Sequence, residues 1–327
     1  MKLFRHGPAA ELTVEDAAAE SIEAVAASSS GVAAAEFPVI RTAVVCTILV
    51  LAAFIIYLVG NLIREHNLAG AYDLVAATFH NPMFWSAVAV GLLAQAIDGA
   101  LGMAYGVTST TFLLTAGATP ASASASVHIA ELFTTGVSGM SHARLGNVDK
   151  KLFVRLLIPG IIGAVLGVVF VTQIDGKILK PYICAYLVIM GLYILSKALR
   201  TVRANKKQPK HVGKLALFGG FVDASGGGGW GPVVTSTLIS KGNDVRTTIG
   251  SVNFAEFFIA LATAGSFALL AGTGVWILVA GLVLGGLFAA PFAALMTRHL
   301  NSRVLMLLVG VLVTVVSGYG LWKSLIA

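Results

Sequence analysis

Apolar residues in this chain fall in long unbroken blocks separated by short polar stretches. The blocks lack the alternation of a half-buried strand, and those near 20 residues match a helix that crosses a bilayer. Pro38–Ile63 is the first block; it is too long for a signal-peptide core and has no clear cleavage site, so it predicts a transmembrane helix. The mixed stretch 64–82 predicts a loop. Met83–Ala100 and the run up to Gly117 are apolar but broken by Gly99, Gly102 and Gly106, and Thr119-Pro120 marks a turn. Each arm is about 17 residues, short of the roughly 20 an upright crossing needs, which predicts a hairpin or broken helix entering from one face. Helices are then expected over Ala121–His142, Leu152–Thr172 and Leu179–Leu195. Beyond a polar stretch the order returns: a broken pair over Leu215–Ser240 with its tip at Ser225–Trp230, then Thr247–Ala271, Val275–Met296 and Val304–Ile326.

The return is literal. Asp98–Phe133 slides onto Asp223–Phe258 by 125 residues without a gap, with 11 identities in 36 positions. Asp98 meets Asp223, Gly106 meets Gly231, Ser126 meets Ser251, Glu131 meets Glu256, and His128 stands over Asn253. Repetition at fixed spacing means two copies of one structural unit. The expected fold is all-α and multi-pass: two inverted repeats, each a glycine-broken helix pair plus three transmembrane helices, preceded by one extra helix. The chain divides into a tail (1–38), the extra helix (39–63), repeat one (83–196), a basic linker (197–214) and repeat two (215–327).

Composition strengthens the membrane assignment. Hydrophobic residues make up 57% and charged residues only 11%, where a soluble domain carries about 25% charged. The net charge of +7 does not require nucleic acid, because the basic residues sit in short loops. Lys197–Lys214 holds seven lysines and arginines and no acid, which predicts a cytoplasmic loop. The Arg144–Arg155 and Arg298–Arg303 stretches then fall on the same side, the N-terminus is cytoplasmic, and an odd number of crossings per repeat inverts the second copy. The tail, with Glu11, Glu15, Asp16, Glu20, Glu23 and Glu36, is expected to be a disordered or loosely helical cytoplasmic extension. Cys46 and Cys184 lie in apolar runs and form no metal or disulfide pattern.

Two kinds of residue carry candidate chemistry. Glycine-broken helices expose backbone N–H groups that attract an anion. Gly102, Gly106, Gly226, Gly227, Gly228 and Gly229 are the candidate cradle, with Tyr105 and Trp230 at matching places as gates and Ser126, Ser251 and Asn253 as polar lining. The same glycines also serve close helix packing. Asp98, Glu131, Asp223 and Glu256 lie within apolar segments, where a charge costs at least about 2.5–3.5 kcal/mol. His128 and Glu131, spaced i, i+3, share a helix face. This group suits proton or ion coupling, a carboxylate-rich cation site with His128 as nitrogen ligand, or capping of backbone groups freed at the tips.

Gly226-Gly227-Gly228-Gly229-Trp230-Gly231-Pro232, its counterpart Leu101–Gly106, and Ser138-Gly139 through His142 followed by Gly146-Asn147-Val148-Asp149 resemble the motifs of the TauE/SafE family, the sulfite-exporter-like permeases. The resemblance covers about Ala87–Trp322. It implies export of small anions such as sulfite, thiosulfate or organosulfonates. Two departures stand out: the first half lacks the consecutive glycines, and both halves carry an acid before the tip and a glutamate after it.

The expected function is therefore secondary transport: proton-coupled export of a small inorganic or organosulfur anion from a bacterial-type inner membrane. The alternatives are a transporter of divalent cations using intramembrane carboxylates, or an ion channel. No His-Glu-x-x-His, Gly-x-Ser-x-Gly or Walker sequence is present, so no enzyme is expected. The expected partners are the anion, protons and membrane lipid, with a homodimer as the candidate assembly; no cofactor, resident metal or nucleic acid is expected.

Overall fold

A computed structural model describes residues 72–326 except 102, 200–210, 242, 271–275 and 300–301, together with scattered positions between 45 and 70. The tail and most of the basic linker lie outside the described residues. The described positions between 45 and 64 are helical. So are residues 72–79, which corrects the loop expected over 64–82. Over 72–79 the alanines and leucine favour a helix, which ends before Asn81-Pro82. There Asn81 Oδ1 accepts from Met83 N at 2.9 Å and proline takes the first helical position.

The first half contains α1 (Pro82–Leu101), α2 (Tyr105–Thr115), α3 (Pro120–Arg144), α4 (Lys150–Gln173) and α5 (Gly176–Leu199). The second contains α6 (Val212–Gly226), a π-helical turn (Trp230–Thr235) continued by α7 (Ser236–Ser240), then α8 (Val245–Leu270), α9 (Trp276–His299) and α10 (Ser302–Ile326). The sequence offset reappears in the helix starts: Tyr105 and Trp230, and Pro120 and Val245, are 125 apart; Lys150 and Trp276, and Gly176 and Ser302, are 126 apart. Among the described residues, α4, α5, α8 and Met306–Ile326 are long and apolar enough to cross a membrane.

The arms of each broken pair are unequal, unlike the matched arms expected. The second arms, Tyr105–Thr115 and Trp230–Ser240, are 11 residues each, about 16 Å at helical rise and half of a bilayer core. They are built differently. Pro232 stands where the first half has Val107. A proline inside a helix removes one N–H and pushes its ring at the preceding turn, and here the turn widens to π geometry.

The halves interlock by exchange. α9 of the second half packs on α1 of the first, and α4 packs reciprocally on α6; α3 lies against α8 and α5 against α10. Small residues permit the exchanged contacts. A side chain at Gly285 of α9 would come within 2.8 Å of Leu92 N on α1, and one at Gly167 of α4 would lie 2.5 Å from Phe221 O on α6. Glycine thus serves close packing along the crossings as well as at the tips.

Candidate functional site

Helix α1 ends at Leu101 and α2 starts at Tyr105, so the first N–H groups of α2 have no partner within a helix. Asp98 supplies one: its Oδ1 accepts from Ala104 N at 2.8 Å and Tyr105 N at 3.3 Å. The second half repeats the device. Asp223 Oδ1 accepts from Gly229 N at 2.7 Å and Trp230 N at 2.9 Å, and the Gly228 N–H donates to Asp223 O at 3.1 Å. Both aspartates therefore cap broken helices. The N–H groups of Gly229 and Trp230, part of the candidate anion cradle, face a carboxylate of the protein itself.

Asp223 has a second role. Its Oδ2 lies 3.1 Å from His128 Nε2, across the boundary between the halves. His128 Nδ1 lies 2.8 Å from Ser124 O; a carbonyl only accepts, so this nitrogen carries hydrogen and the tautomer is set. A lone pair on Nε2 cannot face a bare carboxylate oxygen at this distance, so one proton lies between them. Glu131 Oε2 is 3.9 Å from the same Nε2 and has no hydrogen-bond partner, although Glu131 is only 1% exposed. Glu256 is buried as well, and Asp98, Glu131, Asp223 and Glu256 interact electrostatically with one another. Among the described residues, these four acids meet backbone N–H groups, two threonine hydroxyls on the Glu131 carbonyl, and His128, and none of them pairs with a lysine or arginine.

The tips meet at this cluster. A side chain at Gly106 would lie 2.7 Å from Gly228 Cα and 3.1 Å from Glu131 Oε1. Gly227, at φ 68° in the left-handed region, ends α6. A side chain at Gly226 would meet the Tyr186 ring at 2.7 Å. Three hydroxyls from the first half donate to carbonyls at the second tip: Ser124 to Ala224 O at 2.6 Å, Thr110 to Gly227 O, and Tyr186 to Gly228 O at 2.7 Å.

The remaining candidates divide. Tyr105 and Trp230 are buried, with Tyr105 OH donating to Leu282 O and Trp230 Nε1 to Val252 O, each at 3.3 Å. Ser251 accepts from Asp149 N at 2.8 Å and donates to Thr247 O, which ties α8 to the start of α4. The Asn253 amide N–H donates to Ser138 Oγ at 3.2 Å. Ser126 Oγ and Asn253 Oδ1 are buried without a partner. Gly102 lies outside the described residues. Tyr186, Thr110 and Ser124 were not singled out from the sequence as site residues. The available signal was a hydroxyl within an apolar span, which must find an acceptor there.

The family model described as sulfite exporter TauE/SafE matches residues 87–320. A relative in Bacillus subtilis (strain 168), named probable membrane transporter protein YtnM, is 46% identical over 250 residues, covering 73% of this chain and 82% of the relative. No solved structure matches.

Proposed function

Starting from the chain's membership of the TauE/SafE family of membrane transporters, we propose that it is a secondary transporter coupling protons to export of a small oxyanion such as sulfite or an organosulfur anion. The observation that carries the proton part is the convergence of Asp98, Glu131, Asp223, Glu256 and His128 in one buried cluster drawn from both halves. Four ionised carboxylates beside one imidazole would be heavily penalised at such depth, so the cluster must retain protons. A site that stores protons between two interlocked halves is what coupling requires. The anion part rests on the family together with buried, unpartnered hydroxyls at Thr108, Ser126 and Thr235. Neutral O–H donors hold an oxyanion without bringing a counter-charge into the membrane.

We place the halves in inverted topology in a bacterial-type inner membrane, N-terminus in the cytoplasm, on the strength of the basic loops. A divalent-cation cargo is the second reading, favoured by the closeness of His128, Glu131 and Asp223. Proteoliposomes loaded with a pH-sensitive dye test both. Sulfite, thiosulfate or a sulfonate should each be compared with divalent cations, with and without a pH gradient. Anion flux accompanied by proton movement supports the first reading. Cation flux with no anion response replaces it with the second.

A further inference from the structure

We infer that the corner between the halves binds one small divalent transition-metal cation, with His128 Nε2, Glu131 Oε2 and Asp223 Oδ2 as the protein ligands. These residues are buried, and each offers a ligand atom within 4.8 Å of the other two. An ion with nitrogen and oxygen ligands at about 2.0–2.2 Å sets neighbouring ligand atoms about 3.3–3.6 Å apart in tetrahedral geometry. The His128–Asp223 and His128–Glu131 separations, 3.1 and 3.9 Å, bracket that range, so side-chain adjustment alone would close the site.

Three features separate this corner from a mere cluster of acids. Glu131 Oε2 is buried without a hydrogen-bond partner, an arrangement that costs free energy unless something else meets it. His128 Nδ1 is committed to Ser124 O at 2.8 Å, the outer-shell contact that turns the other ring nitrogen toward a metal. Asp223 Oδ1 is held by Gly229 N and Trp230 N, which fixes the direction of Oδ2. The ligands thus stand oriented by their own supports.

Charge and chemistry narrow the ion. Two carboxylates and a neutral imidazole bring a divalent cation to zero net charge, the state a membrane interior favours. One nitrogen and two oxygens suit Zn²⁺, Co²⁺ or Mn²⁺. Ca²⁺ takes six to eight oxygens and Mg²⁺ demands an octahedral shell. The equivalent place in the second half carries Asn253, whose N–H turns to Ser138, so one ion per chain is expected. Because His128 and Glu131 come from the first half and Asp223 from the second, the ion would bridge the halves and exclude the proton from between His128 and Asp223. The inference stands on the geometry of the corner and holds whatever the cargo.

The test uses full-length protein in detergent, stripped of metal, without a histidine tag and carrying Cys46→Ser and Cys184→Ser. Co²⁺ is titrated and followed by its visible d–d absorption, and Zn²⁺ binding is measured by calorimetry. The expected result is one Co²⁺ per chain in a low-coordinate nitrogen–oxygen site, displaced by Zn²⁺. His128→Asn, which installs the residue of the other half, and Glu131→Gln should each weaken binding at least about tenfold. Circular dichroism and gel filtration confirm that each variant is folded. Absence of Co²⁺ binding to the unsubstituted corner overturns the site, and so does unchanged affinity in folded His128→Asn or Glu131→Gln. No cargo or pH gradient enters this measurement, so a failure here is distinct from a failure of proton-coupled transport.

Discussion

The Tyr186 hydroxyl donates a 2.7 Å hydrogen bond to the carbonyl oxygen of Gly228. The first half thereby holds the glycine tip of the second, next to the Asp223 cap. The contact has no symmetric counterpart, since Val311 and Leu312 stand at the 125- and 126-residue offsets where repetition would put a second tyrosine. With Thr110 on Gly227 O and Ser124 on Ala224 O, it satisfies carbonyls that a broken helix leaves without partners.

Replacing Tyr186 by Phe keeps the ring against Gly226 and removes only the donor. Leaving the Gly228 carbonyl unpaired costs about 1–3 kcal/mol, so the purified variant should unfold at lower temperature. Because the tip carries the Asp223 cap, maximal transport rate should also fall, with substrate affinity less affected. A variant matching wild type in both unfolding temperature and rate would show that this bond does not hold the tip.

Asp98 separates capping from charge. Asparagine caps about as well as aspartate, whereas alanine costs about 0.5–2 kcal/mol. Asp98→Asn should therefore fold like wild type but alter proton-linked flux, and Asp98→Ala should lose thermal stability. If Asp98→Asn leaves the pH profile of flux unchanged, Asp98 is a cap and nothing more.

The Gly106–Gly228 approach sets a steric limit. A methyl at Gly106 would lie 2.7 Å from Gly228 Cα, and one at Gly228 would run into the Gly106–Val107 backbone. Either alanine substitution overpacks the tips, at a cost of about 1–3 kcal/mol, and should reduce transport strongly. Gly265, with nothing within 4 Å of its added Cβ, is the control: Gly265→Ala should be neutral or slightly stabilising. Full activity of Gly106→Ala and Gly228→Ala would mean that the tips separate readily.

How much could be read from the chain follows from the kind of signal each feature leaves. Repetition at 125 residues located Asp98, Glu131, Asp223 and Glu256, and from Tyr105 and Trp230 onward the helix starts keep that spacing to within one residue. It could not say that the N–H groups of Gly229 and Trp230 would turn to Asp223, because hydrogen-bond direction at a break depends on three-dimensional closure. Tyr186 escaped for the opposite reason: a search by symmetry passes over a residue present in one half only. The π turn at Trp230–Thr235 was legible in Pro232, whose partner position holds Val107, but apolar patterning alone does not register it.

Orientation in the membrane is open to labelling. Single cysteines at Gln208 and Ala327, in a background lacking Cys46 and Cys184, should react with an impermeant thiol reagent from opposite faces, Gln208 from the cytoplasm. That outcome follows if each broken pair returns to the face it enters, which 11-residue second arms favour. Reaction of both from one face would mean that a broken pair crosses completely, and the inverted arrangement would fall.

Glu131 and Glu256 occupy equivalent places yet differ in surroundings, since Glu131 adjoins His128 and Gly106 and Glu256 has Asn253 where Glu131 has the imidazole. Glutamine at either position keeps size and hydrogen-bonding capacity while removing the ionisable proton. If these groups carry protons for an anion exporter, calorimetry on the purified variants should show anion binding with little loss, while proton-coupled flux falls and its pH dependence flattens. The effect should be larger at Glu131, because its partner His128 shares a proton with Asp223 across the boundary that must rearrange during transport. If a cation is the cargo, the unsubstituted protein should show cation flux and no anion binding, each glutamine should weaken cation binding and lower cation flux, and the double substitution should abolish both. Wild-type binding and flux in both single variants would leave the glutamates with a structural role alone. The separation is clean because binding is measured without a gradient and flux with one: a coupling group changes the second and spares the first.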